Sequence, residues 1–378
     1  MSADAPLEAT TTTTTTTAVT KDDLVLAEAT PEQRTLTWKL NGVSWAGPMT
    51  LEEYIGREQA LSETALSANG GTRYYILHHK TDPNLIVSAC EVLTKKALVV
   101  TPGSPVRTVS AYGLASVFTP PQFRGHGLAS HMLRLVQADV DAHDAEFGAL
   151  YSDIGRSFYR RLGWPDFPSP QLTMHLGDPS APLPGTLSSP AVTLLTDADI
   201  PALCQRDCAL VQSRLATAAS SSPNKTHVAF LPDATQLTWH FARDSYVARV
   251  MRQGRAVPHR GARTADGDSW LLWDHDLREN KLKILRLVVG AKDGAAAVQA
   301  LLRAALEEAR DWGLPKVLVW APGVATCAAA TELWREGGGK LGLVFDERED
   351  GSIPSLRWRE GKDMGEVVWE ANEYYAWC

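Results

Sequence analysis

No stretch of this 378-residue chain stays apolar for the roughly 20 residues that a membrane-crossing helix needs. Basic residues are in deficit: 37 Lys and Arg against 44 Asp and Glu leave a net charge of −7. That balance excludes non-specific nucleic-acid binding, which rests on clustered cations. Cysteine is scarce. Cys90, Cys204, Cys208, Cys327 and Cys378 are odd in number and hold no C-x-x-C pair, which fits reduced thiols rather than a disulfide framework. Cys204 and Cys208 stand four apart on a helical pattern, but no neighbouring His or Cys completes a ligand set, so no metal is expected. Arginine is missing before Arg34, and Met1 to Thr20 holds no apolar core, which argues against a presequence or a secretory leader. The threonine run from Thr10 to Thr17 predicts instead a disordered tail over residues 1–21 and a cytoplasmic protein.

What is present is an ordinary globular composition, 44% hydrophobic and 21% charged, in a chain long enough for two domains. Thr30-Pro31-Glu32-Gln33 and Thr50-Leu51-Glu52-Glu53 are capping boxes that open two helices. Strand-like runs follow at 73–79, 85–92 and 109–118. Over residues 127–143, Leu128, Met132, Leu135, Val136 and Val140 recur on one face of a helix. A short strand at 148–151, a helix at 155–162 and a strand at 171–176 complete a mixed α/β domain over residues 22–176. Four prolines and several serines mark residues 177–190 as a linker. Residues 191–378 repeat the order in outline, with strands at 270–273, 281–289 and 316–320 and helices at 295–312 and 325–336, as a duplication would.

The stretch richest in chemistry joins the strand ending at Val117-Phe118-Thr119 to the amphipathic helix. Its sequence is Arg124-Gly125-His126-Gly127-Leu128-Ala129-Ser130. Glycines let a backbone approach an anion and turn successive N–H groups toward it, and the helix start adds unpaired donors and a favourable dipole. It is not a nucleotide loop, because the Lys-Ser/Thr pair is missing and the G-x-G-x-x-G spacing fails. The spacing is R-x-x-G-x-A, at Arg124, Gly127 and Ala129.

In that loop the chain resembles the GCN5-related N-acetyltransferases. The resemblance implies that main-chain N–H groups from Arg124 to Ser130 hold the pyrophosphate of acetyl-CoA. It also implies that Val117, Phe118 and Thr119 pair with the pantetheine arm. Phe158-Tyr159 with Gly163-Trp164 is similar to a second family motif, in which Tyr159 is the general acid toward the departing thiolate. Ser152 stands where the family commonly has Asn. Trp38, Trp45-Ala46-Gly47-Pro48, the Cys90-Glu91 strand, residues 353–358 and Tyr375-Ala376-Trp377-Cys378 resemble fungal lysine N6-acetyltransferase-like proteins. That likeness implies a small-molecule amine substrate, L-lysine, with acetyl-CoA as co-substrate.

An amine nucleophile must lose a proton. Glu91 is the one acid of the strand run 85–92, and an acid within an apolar strand requires a reason, so Glu91 is the candidate base beside water and the Cys378 carboxylate. Arg357 is a candidate partner for a substrate carboxylate. The acids Asp346, Glu347, Glu349 and Asp350 read as a solvated run. The second half lacks a phosphate loop, which makes it a degenerate acetyltransferase fold that caps the amine pocket. Aminoglycoside-like amines, polyamines, a protein lysine and a non-catalytic acyl-CoA-binding role remain as alternatives.

Overall fold

The computed structural model describes residues 19–177, 191–290 and 294–377, so most of the Thr-rich tail, linker residues 178–190 and Cys378 lie outside the described residues. The first half runs β1 (Leu24–Glu28), α1 (Pro31–Trp45), α2 (Leu51–Ser62), β2 (Thr72–His79), β3 (Asp82–Val100) and β4 (Arg107–Phe118). It continues with α3 (Leu128–Asp141), β5 (Phe147–Ser152), α4 (Ser157–Arg160) and β6 (Pro170–His175). Both expected capping boxes form: the Thr30 hydroxyl accepts from Gln33 N–H, and Gln33 Oε1 accepts from Thr30 N–H, as Thr50 and Glu53 do for α2.

The second half begins with β7 (Val192–Leu195), α5 (Ile200–Ser221), β8 (Thr226–Phe230), α6 (Ala234–Met251), β9 (Gly261–Thr264), β10 (Trp270–Asp276) and β11 (Lys281–Val288). Then come α7 (Ala295–Asp311), β12 (Lys316–Trp320), α8 (Val324–Glu336), β13 (Gly342–Glu347), β14 (Ile353–Trp358) and β15 (Val367–Trp369). No helix among the described residues is long and apolar enough to cross a membrane.

Two sheets face each other. One has the order β1-β2-β3-β4-β5-β14 with β8 and β15 attached, the other β13-β6-β12-β11-β10-β9-β7. Strand exchange ties the halves together. β6, which closes the first half, pairs with β12 and β13, while β14 from the chain's end pairs with β5. β3 is longer than the run 85–92 because its far end, Ala97–Val100, pairs with β8. Between the sheets lies a core of Phe147, Phe230, Trp320, Trp358, Trp369 and Tyr375. Such rings contribute large buried areas. The aromatic end is packed as its composition implies, with Tyr374, Tyr375 and Ala376 buried.

The halves repeat one βαβ unit. β4 and β5 are parallel only from Ala111 to Gly113 against Phe147 to Ala149, and β11 and β12 only from Leu282 to Ile284 against Val317 to Val319. Beyond those residues each pair separates, leaving an unpaired strand edge.

Candidate active site

The β4 edge is prepared by a bulge. Ala89 pairs with Phe118 and Glu91 with Ala115, so Cys90 faces both Ser116 and Val117. Ser116 takes φ +52° at this point, a left-handed conformation that few non-glycine residues adopt. The strand end is then fixed by Ser88, whose hydroxyl donates to Phe118 O at 3.0 Å and lies 2.9 Å from the Thr119 hydroxyl. Past Gly113, the β4 main chain toward β5 has no ladder partner, the arrangement that an extended ligand completes as an added strand.

The loop beyond folds around buried Phe123. Gly125 and Gly127 take φ +82° and +69°, and Gly127 begins α3 with no side chain capping it. The first N–H groups of α3 are therefore open donors. A Cβ at Gly125 would meet nothing within 4 Å, and one at Gly127 would meet Lys21 Nζ at 3.8 Å. Arg124 Nε donates to Thr119 O at 2.9 Å, so its side chain braces the loop. Arg124 to Gly127 are exposed, while Ala129 and Ser130 are half-buried on the first turn. These residues fit a pyrophosphate cradle that opens beside an unpaired strand edge.

Tyr159 is buried in the cluster on the α3 side of the sheet, with Cys90, Leu114, Leu150 and Trp164. Burial raises its phenol pKa, so it stays protonated and able to donate. Ser152, in the family's Asn position, donates to Gly155 O at 2.7 Å and shapes its own turn.

Glu91 neighbours Cys90 in β3 and so points to the opposite face, where Leu93 packs with Leu61 of α2 and Trp239 of α6. Its side chain is half-buried. Desolvation raises its pKa to about 8, helped by the charge of Glu58 and opposed by hydrogen bonding from Ser116 and Trp38 and by Arg57. Trp38 Nε1 is buried without a partner at full hydrogen-bond geometry, although it lies close enough to stabilise the Glu91 charge. Arg57 pairs with Glu58 and stacks 4.5 Å from the centre of the Tyr54 ring. Burial and the charges of Glu91 and Glu58 also hold the Tyr54 and Tyr74 phenols protonated.

Sequence reasoning missed Trp38, Tyr54, Glu58 and Tyr74 as neighbours of Glu91. They lie on α1, α2 and β2, and their spacing carries no shared motif. Arg357, the candidate partner for a substrate carboxylate, is engaged elsewhere. Arg357 forms a two-pronged pair with Asp141 of α3, at 2.7 and 2.5 Å, which spends its guanidinium on joining β14 to α3. Of the acids near the end, Asp346, Glu349 and Asp350 are exposed and Glu347 binds Ser169 and Arg156. Cys204 is buried and Cys208 half-buried on α5, and no group of His, Cys, Asp or Glu among the described residues is placed to hold a metal.

The second splay differs. Glu373 Oε2 accepts the Leu287 N–H at 2.8 Å, and Glu373 also pairs with Arg286, which grips Asp207 through two 2.8 Å bonds. A cavity of about 630 Å³ remains there, bounded by Leu287, Trp320, Val324 and Trp369. No R-x-x-G-x-A loop opens on it, and Glu373 already caps the strand edge.

Residues 79–165 match the acetyltransferase (GNAT) domain, and residues 175–378, more than half of the chain, match the LYC1 GNAT-like C-terminal domain. A protein of Yarrowia lipolytica named lysine acetyltransferase is 24% identical over 77% of this chain and 82% of its own length. A probable N-acyltransferase of Enterococcus faecalis V583 shares the fold, with a TM-score of 0.55, 12% identity and coverage of 89% of this chain and 72% of that one. A tandem GNAT protein from the clavulanic acid biosynthesis pathway has a TM-score of 0.50 at 13% identity, over 90% of this chain and 100% of that one.

Proposed function

Because this chain belongs to the GNAT acetyltransferases that carry a LYC1 GNAT-like C-terminal domain, we propose that it acetylates the side-chain amine of free L-lysine. The observation that carries the reading is the placement of Glu91. A carboxyl whose pKa lies near 8 sits on the amine side of the splay, beside Glu58 and the rings of Trp38, Tyr54 and Tyr74. Aromatic faces and carboxylates attract an ammonium ion. A base raised toward the amine's own pKa, near 10.4, takes its proton with less loss than an ordinary carboxylate.

Acetyl-CoA supplies the thioester carbonyl. The loop from Arg124 to Ser130 would hold its pyrophosphate, and the free edge of Val117 to Thr119 its pantetheine arm. Glu91 removes the ammonium proton on one face of the sheet, directly or through water. Tyr159, on the α3 face, gives a proton to the departing sulfur. The amine and the leaving group are thus served from opposite faces, which suits direct transfer. The choice of lysine among amines draws on the Yarrowia relative's name, and the assignment of Glu91 and Tyr159 draws on burial and position.

The test is release of CoA thiol from acetyl-CoA with L-lysine, set beside ornithine, spermidine, kanamycin and a lysine-containing peptide. Turnover with lysine well above the others is the expected result. Preference for another amine would replace the substrate and keep the acetyl transfer.

A further inference from the structure

Arg243 of α6 is 9% exposed, and no hydrogen bond or ion pair engages its guanidinium among the described residues. Its recorded contact is with the Trp377 ring, 5.6 Å from the ring centre. The other buried arginines are all paired: Arg57 with Glu58, Arg260 with Asp197 and Asp244, Arg286 with Asp207 and Glu373, and Arg357 with Asp141. The acids nearest to Arg243 on the second sheet are also committed elsewhere. Lys283 Nζ lies 3.2 Å from Asp274 and 3.6 Å from Asp276, and Lys281 lies 3.9 Å from Asp276. Unlike Trp38 Nε1, the Arg243 nitrogens are not sealed within protein. The charges of Asp276 and Asp274 offset the desolvation of Arg243 and hold it protonated, yet no described carboxylate lies within ion-pair distance of it, so its planar fork of donors is left to match a carboxylate.

Its position joins it to the amine site. Tyr54 senses the charges of Glu58, Arg57, Glu91 and Arg243 together, and Arg243 senses Asp276 and Asp274 most and Glu58 least. Ala242, one residue earlier, packs against the cluster of Leu61, Leu66, Leu93 and Trp239, as Ala115 of β4 and Trp377 do, so this turn of α6 lies by the strands that carry Glu91 and the bulge.

We propose that Arg243 binds the carboxylate of the amine substrate, which makes the substrate class amino acids with a second, side-chain amine. This rests on the acetyl-transfer reading above and accounts for the part of the substrate that Glu91 does not touch. Glu91 and Glu58 receive the ammonium end, and Arg243, contributed by the second half, receives the carboxylate end. An amine without a carboxylate leaves the guanidinium unpaired, so the same residue selects against polyamines.

The test compares L-lysine with cadaverine, the same chain without its carboxylate, in turnover and in binding by calorimetry with CoA present. Wild type should favour lysine. Arg243→Gln should weaken lysine roughly 100-fold, as loss of a buried charged partner does, and leave cadaverine and acetyl-CoA unchanged. Arg243→Lys should recover part of the lysine affinity. Wild type that treats the two amines alike overturns the proposal, and so does an Arg243→Gln protein that loses both amines equally. If no amine releases CoA, the acetyl-transfer reading fails, while the lysine and cadaverine binding arms still decide the role of Arg243.

Discussion

The two halves of the molecule build the same separated pair of parallel strands and finish it in opposite ways. In the first, the edge of β4 is left open beside an uncapped helix with two glycines in the left-handed conformation. In the second, the protein's own Glu373 accepts the Leu287 N–H, and Arg286 and Asp207 lock that carboxylate in place. The two clefts therefore differ in which partner satisfies the strand edge: the chain itself closes the second, and on the proposed reading a ligand completes the first. An edge left for a ligand is a site, and an edge closed by the chain's own end holds the two sheets together. Damage to the first cleft should show in rate, and damage to the Glu373-closed cleft in stability.

The largest effect is expected at Glu91. Glu91→Gln should lower kcat by about 10²–10⁴-fold, the range for loss of a general base. In wild type, kcat/KM should rise with pH and level off above about 8, as the raised carboxyl ionises. The sign for stability is the reverse. Folding raises this pKa, so the folded state holds the proton longer than the unfolded chain does, and Glu91 destabilises increasingly between about pH 4.5 and 8. Glu91→Gln should therefore have a higher Tm than wild type at pH 9. A flat pH–rate profile would remove Glu91 from the mechanism.

Next comes the locked cleft. Asp207→Ala leaves Arg286 buried with one partner fewer and should cost about 3–5 kcal/mol in urea unfolding. The kcat of the protein that remains folded should be unchanged. A matching loss of kcat at full stability would mean that the second cleft takes part in catalysis.

His275 gives a smaller, pH-limited effect in the same half. Burial lowers its pKa, but the charge and hydrogen bond of Asp244 and the Glu308 contact outweigh it and bring it to about 9. The folded value lies above the unfolded one. The stabilisation is thus complete below about pH 6.5 and is lost as pH rises through about 9. His275→Gln should narrow the gap between unfolding midpoints at pH 6 and pH 10. An unchanged gap would show that the ring is neutral in the folded protein.

The glycine loop and the short helix that carries Tyr159 were legible in the sequence because each lies in a short contiguous motif whose geometry is local. The repeated element order was legible for the same reason, since it follows from periodicity. Helix α6 was not. Leu237, Trp239, His240, Phe241, Arg243, Asp244 and Val247 are buried around much of its circumference, which erases the one-sided period that marks a surface helix. The exchange of β6 and β14 between sheets was hidden too, because pairing partners far apart in the chain leave no mark on either strand's pattern. Lys95 is buried and donates to Ala376 O at 2.7 Å, an anchor between residues 281 apart in the chain that no local pattern marks.

The most direct test of the central claim is the stoichiometry of acetyl-CoA binding by titration calorimetry, with Gly127→Val alongside wild type. One acetyl-CoA per chain, lost when a branched side chain is placed at the φ +69° start of α3, is the predicted result. Two molecules per chain, or undiminished binding by Gly127→Val, would contradict the assignment of the open cleft to the first half.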